Sequence, residues 1–106
     1  MLRVCLALLL LAASPAFAQS DEAPSSKGYR DAMAKMHEGM MVPYTGDADR
    51  DFVAGMIAHH QGAIDMARVE LQYGKDPQLR RLARNIIAAQ QKEIAFMQTW
   101  QAKHAK

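Results

Sequence analysis

The sequence predicts an all-α protein, in which one shorter helix precedes a hairpin of two long helices. Apolar side chains recur three and four residues apart through most of the chain, and no stretch alternates as a strand would. Breaks rich in Pro, Gly and Asp at residues 43–47 and 74–77 separate the helices. Two long helices leave apolar faces that one short helix cannot cover. We therefore expect a helical bundle that dimerisation completes.

Residues 1–18 have the composition of a secretory signal peptide. Arg3 gives the positive start, the apolar run of residues 4–13 is too short to span a bilayer, and a small-x-small tripeptide ends at Ala18. We expect cleavage after Ala18 and export of the rest of the chain without membrane attachment; the alternative is a retained anchor. Cys5 is the only cysteine and leaves with the leader, so the exported chain has no disulfide.

Residues 19–26 are polar and contain a proline, which predicts a flexible tail before a helical domain of residues 27–106. Ser25 or Ser26 can cap the first helix, which we expect to run to about Met41. The whole chain has 13 basic and 11 acidic side chains. This near balance gives no case for nucleic acid or an anionic membrane surface as a partner.

The two long helices have start and stop signals of their own. The turn Thr45-Gly46-Asp47 offers a cap for the second helix, and Gly74 stands where that helix should end. Asp76 before Pro77 is a capping residue followed by a first-turn proline, the usual start of a helix. We expect an antiparallel hairpin in which residues whose numbers sum to about 150 lie level with one another.

The most informative segment is Met56-Ile57-Ala58-His59-His60, within the second predicted helix. Met56 is three residues from His59 and four from His60, so either imidazole can share an ion with its thioether. Soft and borderline metal ions accept these ligands. His59 and His60 lie about 100° apart around the helix, so we expect only one of them to be a direct ligand, and the spacing does not choose between them. Met66 lies two turns further on and belongs to a second site or to the core.

The neighbouring helices carry further candidate ligands. In the hairpin register, Met56 is level with residues 94–97, which include Met97. A turn at residues 43–46 would place Met33 and Met36 opposite Met56 and its neighbours. We therefore expect donors from separate helices to meet at one level of the bundle. The candidate metal ligands are Met33, Met36, His37, Met40, Met56, His59, His60, Met66 and Met97.

This donor set predicts copper. Thioether sulfur favours Cu(I), and imidazole accepts both Cu(I) and Cu(II), so Cu(I) is the favoured ion. A single methionine is an ordinary core residue, so the prediction depends on the cluster. Zn²⁺ or Ni²⁺ bound by His37, His59 and His60 is the alternative. The Glu-x-x-His pairs of a di-iron site are absent from the sequence, and no nucleophile–base motif is evident, so we expect no enzymatic activity.

Residues 51–67, with the sequence DFVAGMIAHHQGAIDMA, closely resemble the signature of the DUF305 family. Ile86, Gln90, Glu93 and the pair Met97-x-x-Trp100 are similar to that family's following helix. The resemblance extends over about residues 33–103. It implies a ferritin-like helical bundle, export to the periplasm and, in some members, copper binding linked to resistance.

Carried over to this chain, the family's motif positions are Met56, His59, His60, Met66 and Met97, and its upstream Met/His segment is Met36, His37 and Met40. Ala58 stands where many members have proline, so this helix lacks the residue that would kink it.

Two functions compete at this point. The first is a periplasmic copper-binding protein that sequesters or delivers Cu(I) through methionine and histidine. The second is a metal-independent periplasmic interaction or chaperone-like module whose Met-rich groove holds another chain. The expected partners are a copper ion and either a second copy of this chain or an exported copper-handling protein.

Overall fold

The computed structural model describes residues 21–105, which form three helices. These are α1 (Pro24–Met40), α2 (Ala48–Tyr73) and α3 (Pro77–Lys103). The prediction of one shorter helix followed by a long helical hairpin is confirmed, and no strand occurs in the described part. None of these three helices combines the length and apolarity needed to cross a membrane. The predicted leader lies outside the described residues.

Carboxylate caps start the two long helices, as predicted. The side chain of Asp47 accepts hydrogen bonds from the backbone N–H groups of Asp49 and Arg50, at 3.0 and 3.2 Å. Asp76 does the same for α3 at 2.8 and 2.9 Å, with Pro77 in the first turn. These bonds satisfy N–H groups that have no partner inside a helix.

The predicted start of the first helix is wrong by two or three residues. Neither Ser25 nor Ser26 is its cap, since α1 begins at Pro24 and follows Ala23 without a side-chain cap. A proline in the first turn loses no helical hydrogen bond and already has a helical φ. The helix therefore includes residues 24–26, which the sequence had placed in the tail.

The turn between α2 and α3 is tight and closed by an arginine. Helix α2 ends at Tyr73 and Gly74 is extended. The Nη1 atom of Arg80 donates to the carbonyl oxygens of Leu71 (2.6 Å) and Gly74 (3.0 Å). The last carbonyls of α2 thus gain a donor from the first turn of α3, which holds the two helix ends together.

Small residues bring α1 close to α2. A Cβ added to Gly39 would lie 3.1 Å from the Cβ of Ala58, and one added to Gly62 would lie 3.0 Å from the Cβ of Met36. One added to Gly28 would lie 3.0 Å from Val69. A stripe of α2 at positions 58, 62, 65 and 69 therefore forms the contact with α1.

The predicted register of α1 against α2 is wrong. Met36 lies against Gly62, two turns beyond the positions near Met56 that a tight turn would give.

Residues 41–47 do not turn tightly but return along the first turns of α2. The carboxylate of Asp51 holds them there, accepting the N–H and hydroxyl of Thr45 (2.8 and 2.9 Å) and the N–H of Gly46 (3.2 Å). These bonds, first the one from the Thr45 backbone, lower the pKa of Asp51 below its ordinary 3.8.

Helix α3 packs on the opposite side of α2. His60 meets Glu93 of α3, and His60 lies about 200° around the helix from Gly62, which faces α1. Within residues 21–105, α1 and α3 each pack on α2 but not on each other. The three helices therefore lie side by side in one layer. Its buried core is small and includes Ile64, Ala83 and Met97.

The two mid-helix glycines of α2 provide a test of this packing. An added Cβ at Gly55 meets no described atom within 4 Å, whereas at Gly62 it would lie 2.6 Å from the Met36 sulfur. Gly55→Ala should raise the free energy of unfolding by about 0.5–1 kcal/mol through helix propensity. Gly62→Ala should lower it by about 1 kcal/mol, since overpacking costs more than that gain. Urea denaturation followed by circular dichroism, at one protein concentration, checks both. Equal stabilisation by the two changes would contradict the close approach of α1.

Candidate metal site

A groove between α2 and α3 brings together three of the predicted ligands. Met56 and His60 of α2 and Met97 of α3 line a cavity of about 410 Å³. Met56 and His60 are four residues apart, so their side chains share one side of α2. The remaining lining residues are Phe52, Lys92, Glu93 and Phe96. The predicted level of Met56 with residues 94–97 is thus confirmed.

The donors of this groove are largely withdrawn from solvent. Met97 is 6% exposed and the side chain of His60 is 15% exposed. Phe52 and Phe96 stand at the rim and are 61% and 72% exposed. An apolar surrounding of this kind suits a soft, weakly hydrated ion better than a hard one.

The orientation of His60 is set by Glu93. The Nε2 atom of His60 is hydrogen-bonded to a carboxylate oxygen of Glu93. A carboxylate only accepts, so Nε2 carries the proton and donates. The other ring nitrogen, Nδ1, is buried and has no hydrogen-bond partner among the described residues. In the neutral ring, Nδ1 therefore keeps a free lone pair, which a metal ion can use.

His59 lies outside this groove. It is exposed, and its ring centroid is 6.5 Å from that of His60, with the rings at 62° to each other. The sequence left the choice between the two histidines open. The position of α3 places His60, and not His59, in the groove with Met56 and Met97.

The candidate ligands of α1 do not reach the groove. Met36 packs against Gly62, on the side of α2 away from His60. Met33 and Met40 are 53% and 45% exposed, and His37 is exposed as well. The predicted convergence of the α1 donors on this site is therefore wrong, because α1 packs on the side of α2 that faces away from the groove.

Met66 belongs to a separate groove. It is 42% exposed and lines a cavity of about 300 Å³ that also involves Tyr29, Leu79, Leu82 and Ile86. This agrees with its predicted place two turns away from the histidine pair. Across residues 21–105, no three or more His, Cys, Asp or Glu side chains come close enough to hold a metal. The set His37, His59 and His60 required by the zinc or nickel alternative is therefore not assembled.

Comparison with known proteins assigns the family. A family model described as "Domain of unknown function (DUF305)" matches residues 10–101. The chain belongs to the DUF305 family. A similar protein is "Uncharacterized protein L153" of Acanthamoeba polyphaga mimivirus, 43% identical over 49 residues, which are 46% of this chain. The match spans 32% of that relative's length.

Glu93, which is hydrogen-bonded to His60, was not among the predicted ligands. Glu93 lies on the hairpin level predicted for His60 and four residues before Met97, so its position was available from the register. Its role was not evident, because a glutamate on a long helix is usually a solvated surface residue. Only the contact with Nε2 of His60 distinguishes it.

The tautomer of His60 tests the hydrogen bond between His60 and Glu93 in metal-free protein. At pH 8.5 the His60 ring should be in the Nε2–H form alone, because Glu93 accepts the hydrogen bond that this N–H donates. Glu93→Ala should give a mixture of tautomers, whereas Lys92→Ala should not. Long-range ¹H–¹⁵N spectra of the imidazole nitrogens measure this, with exposed His59 as internal reference. A wild-type His60 ring protonated at Nδ1 would contradict the assignment.

Proposed function

We propose that this protein binds one copper ion in the α2–α3 groove, Cu(I) in preference to Cu(II). The ligands are the thioethers of Met56 and Met97 and the Nδ1 atom of His60. The observation that carries the proposal is that His60, whose buried Nδ1 has no described hydrogen-bond partner, lines the same groove as two methionines. A buried polar atom without a partner is costly, and a bound ion would remove that cost.

The chemistry of these donors favours the monovalent ion. Two thioethers and one neutral imidazole add no charge, so a bound Cu(I) keeps a single positive charge within mostly apolar walls. Cu(II) favours tetragonal sets of nitrogen and oxygen ligands, and the groove offers a single imidazole. Glu93, behind the imidazole, supplies one negative charge and raises the basicity of the ligand nitrogen, as carboxylates behind metal-bound histidines do.

The setting fits copper sequestration or delivery in the periplasm. The proposed ligands include no thiol, so oxidation in an exported location would not form a disulfide at the site. The predicted leader would bring the chain there. Phe52 and Phe96 at the rim of the groove are exposed in the single chain, which is the form that would pass the ion to an exported copper-handling partner. We propose no catalytic step.

Cu(I) affinity is the direct test. A double variant with Met56→Leu and Met97→Leu keeps side-chain volume but removes both sulfurs. Competition with a chromophoric Cu(I) chelator should give one ion per wild-type chain and roughly 100-fold weaker binding in the double variant. His60→Asn should also weaken binding.

Matched controls exist within the same chain. The double variant Met33→Leu and Met66→Leu removes two sulfurs outside the groove, and His59→Asn removes the exposed imidazole. Both should retain wild-type affinity. Equal affinity in the groove variants, or equal losses in the controls, would dismiss this site.

A metal-independent interaction module is the second candidate function. The observation that favours it is the exposure of large apolar side chains, above all Phe52 and Phe96. In that case the wild-type protein should bind an apolar dye or a helical peptide equally well with and without copper. It should also show no thermal shift when Cu(I) is added.

A further inference from the structure

One side of the three-helix layer carries an exposed apolar surface, which we call the methionine face. It consists of Met33 of α1, Phe52 and Met66 of α2, and Leu79, Leu82 and Phe96 of α3. These side chains are 42–72% exposed. Phe52 and Met66 are two heptads apart on α2, and Leu82 and Phe96 are two heptads apart on α3, so each pair shares one side of its helix.

The groove that contains Met66 connects the helices of this face. Tyr29 of α1 lines it together with Met66 of α2 and with Leu79 and Leu82 of α3. Met33 is four residues after Tyr29 and continues the same side of α1. The face therefore extends over all three helices.

The other side of the layer is different in character. The groove there has five charged or amide side chains among its lining residues, beside apolar ones such as Met36, Ile57 and Ile94; the five are Lys35, Glu38, Gln61, Asp65 and Gln98. On the methionine side, the two grooves contain only Glu70, Lys92 and Glu93 as charged residues. The two sides of the layer therefore differ, and the methionine face is the more apolar one.

We propose that a second copy of this chain covers the methionine face. Domains are normally built from at least two packed layers, and one three-helix layer has half of that arrangement. A second copy related by a twofold axis supplies a layer of the same length and the same apolar character. The charges on the face are few and of both signs, so they offer no target for a strongly charged partner and do not oppose self-association.

The exposed area is of the size that a stable dimer needs. The six side chains that define the face leave on the order of 600 Å² of apolar surface open, judged from the area that aromatic and long aliphatic side chains can bury. A standard interface buries roughly 800 Å² per partner, including a polar rim. Patches of this extent are uncommon on monomers unless they serve binding.

The oligomeric state tests this inference. Light scattering after gel filtration, on protein purified from its full-length coding sequence, should give the mass of a dimer in metal-free buffer. Leu82→Glu should weaken the association by roughly 100-fold or more, because the interface of the variant would bury one new carboxylate from each copy. Gln98→Glu adds the same charge to the polar side of α3 and should leave the dimer unchanged.

Because Leu82 is half-exposed in the single chain, its replacement should preserve helicity, which circular dichroism verifies. If Leu82→Glu does not fold, Phe96→Glu, at a more exposed position, takes its place. A monomeric wild type, a dimer that persists in the folded face variant, or equal dissociation of Gln98→Glu would each overturn the proposal. So would a mass that combines one chain with a foreign polypeptide. All measurements are made without copper, so their outcome is separate from that of the copper proposal.

Discussion

Helix α2 contacts a different helix on each of two opposite sides, and the 100° step between successive residues decides which neighbour each side chain meets. Ala58 and Gly62 meet α1, where the absence of larger side chains allows close approach. Met56 and His60 meet α3. This division separates the candidate donors of α1 from those of the α2–α3 groove. A thioether on α1 cannot join an imidazole on the far side of α2, however suitable its chemistry.

The groove between α2 and α3 combines apolar walls with one oriented imidazole. Its aliphatic and aromatic surface contributes to folding by burial, and Met97 serves as a core residue as well as a candidate ligand. The Nε2 atom of His60 donates to Glu93, and this hydrogen bond fixes the orientation of the ring. The Nδ1 atom has no hydrogen-bond partner among the described residues. A methionine such as Met97 can therefore pack in the core and also be a candidate ligand. For this reason, the number of methionines alone does not locate a site.

The sequence was sufficient for the long hairpin but not for the position of α1. Asp47, Asp76 and the short turn at residues 74–76 leave the hairpin little freedom, so its register followed from counting. The seven-residue connection before α2 can either turn or run back along the helix. The choice depends on hydrogen bonds to Asp51 that no helical pattern indicates. The assignment of His60 rather than His59 likewise required knowing where α3 lies.

Membership of the DUF305 family relates this chain to other proteins but does not identify an ion or ligand that it binds. The chemistry is tested most directly by X-ray absorption at the copper edge of the Cu(I)-loaded protein, which identifies the atoms bound to the ion. Sulfur and imidazole nitrogen should appear together around a single copper, because the proposed ligands are one thioether from each of α2 and α3 and one ring nitrogen of His60. A shell of nitrogen and oxygen alone would contradict a site built from these two helices.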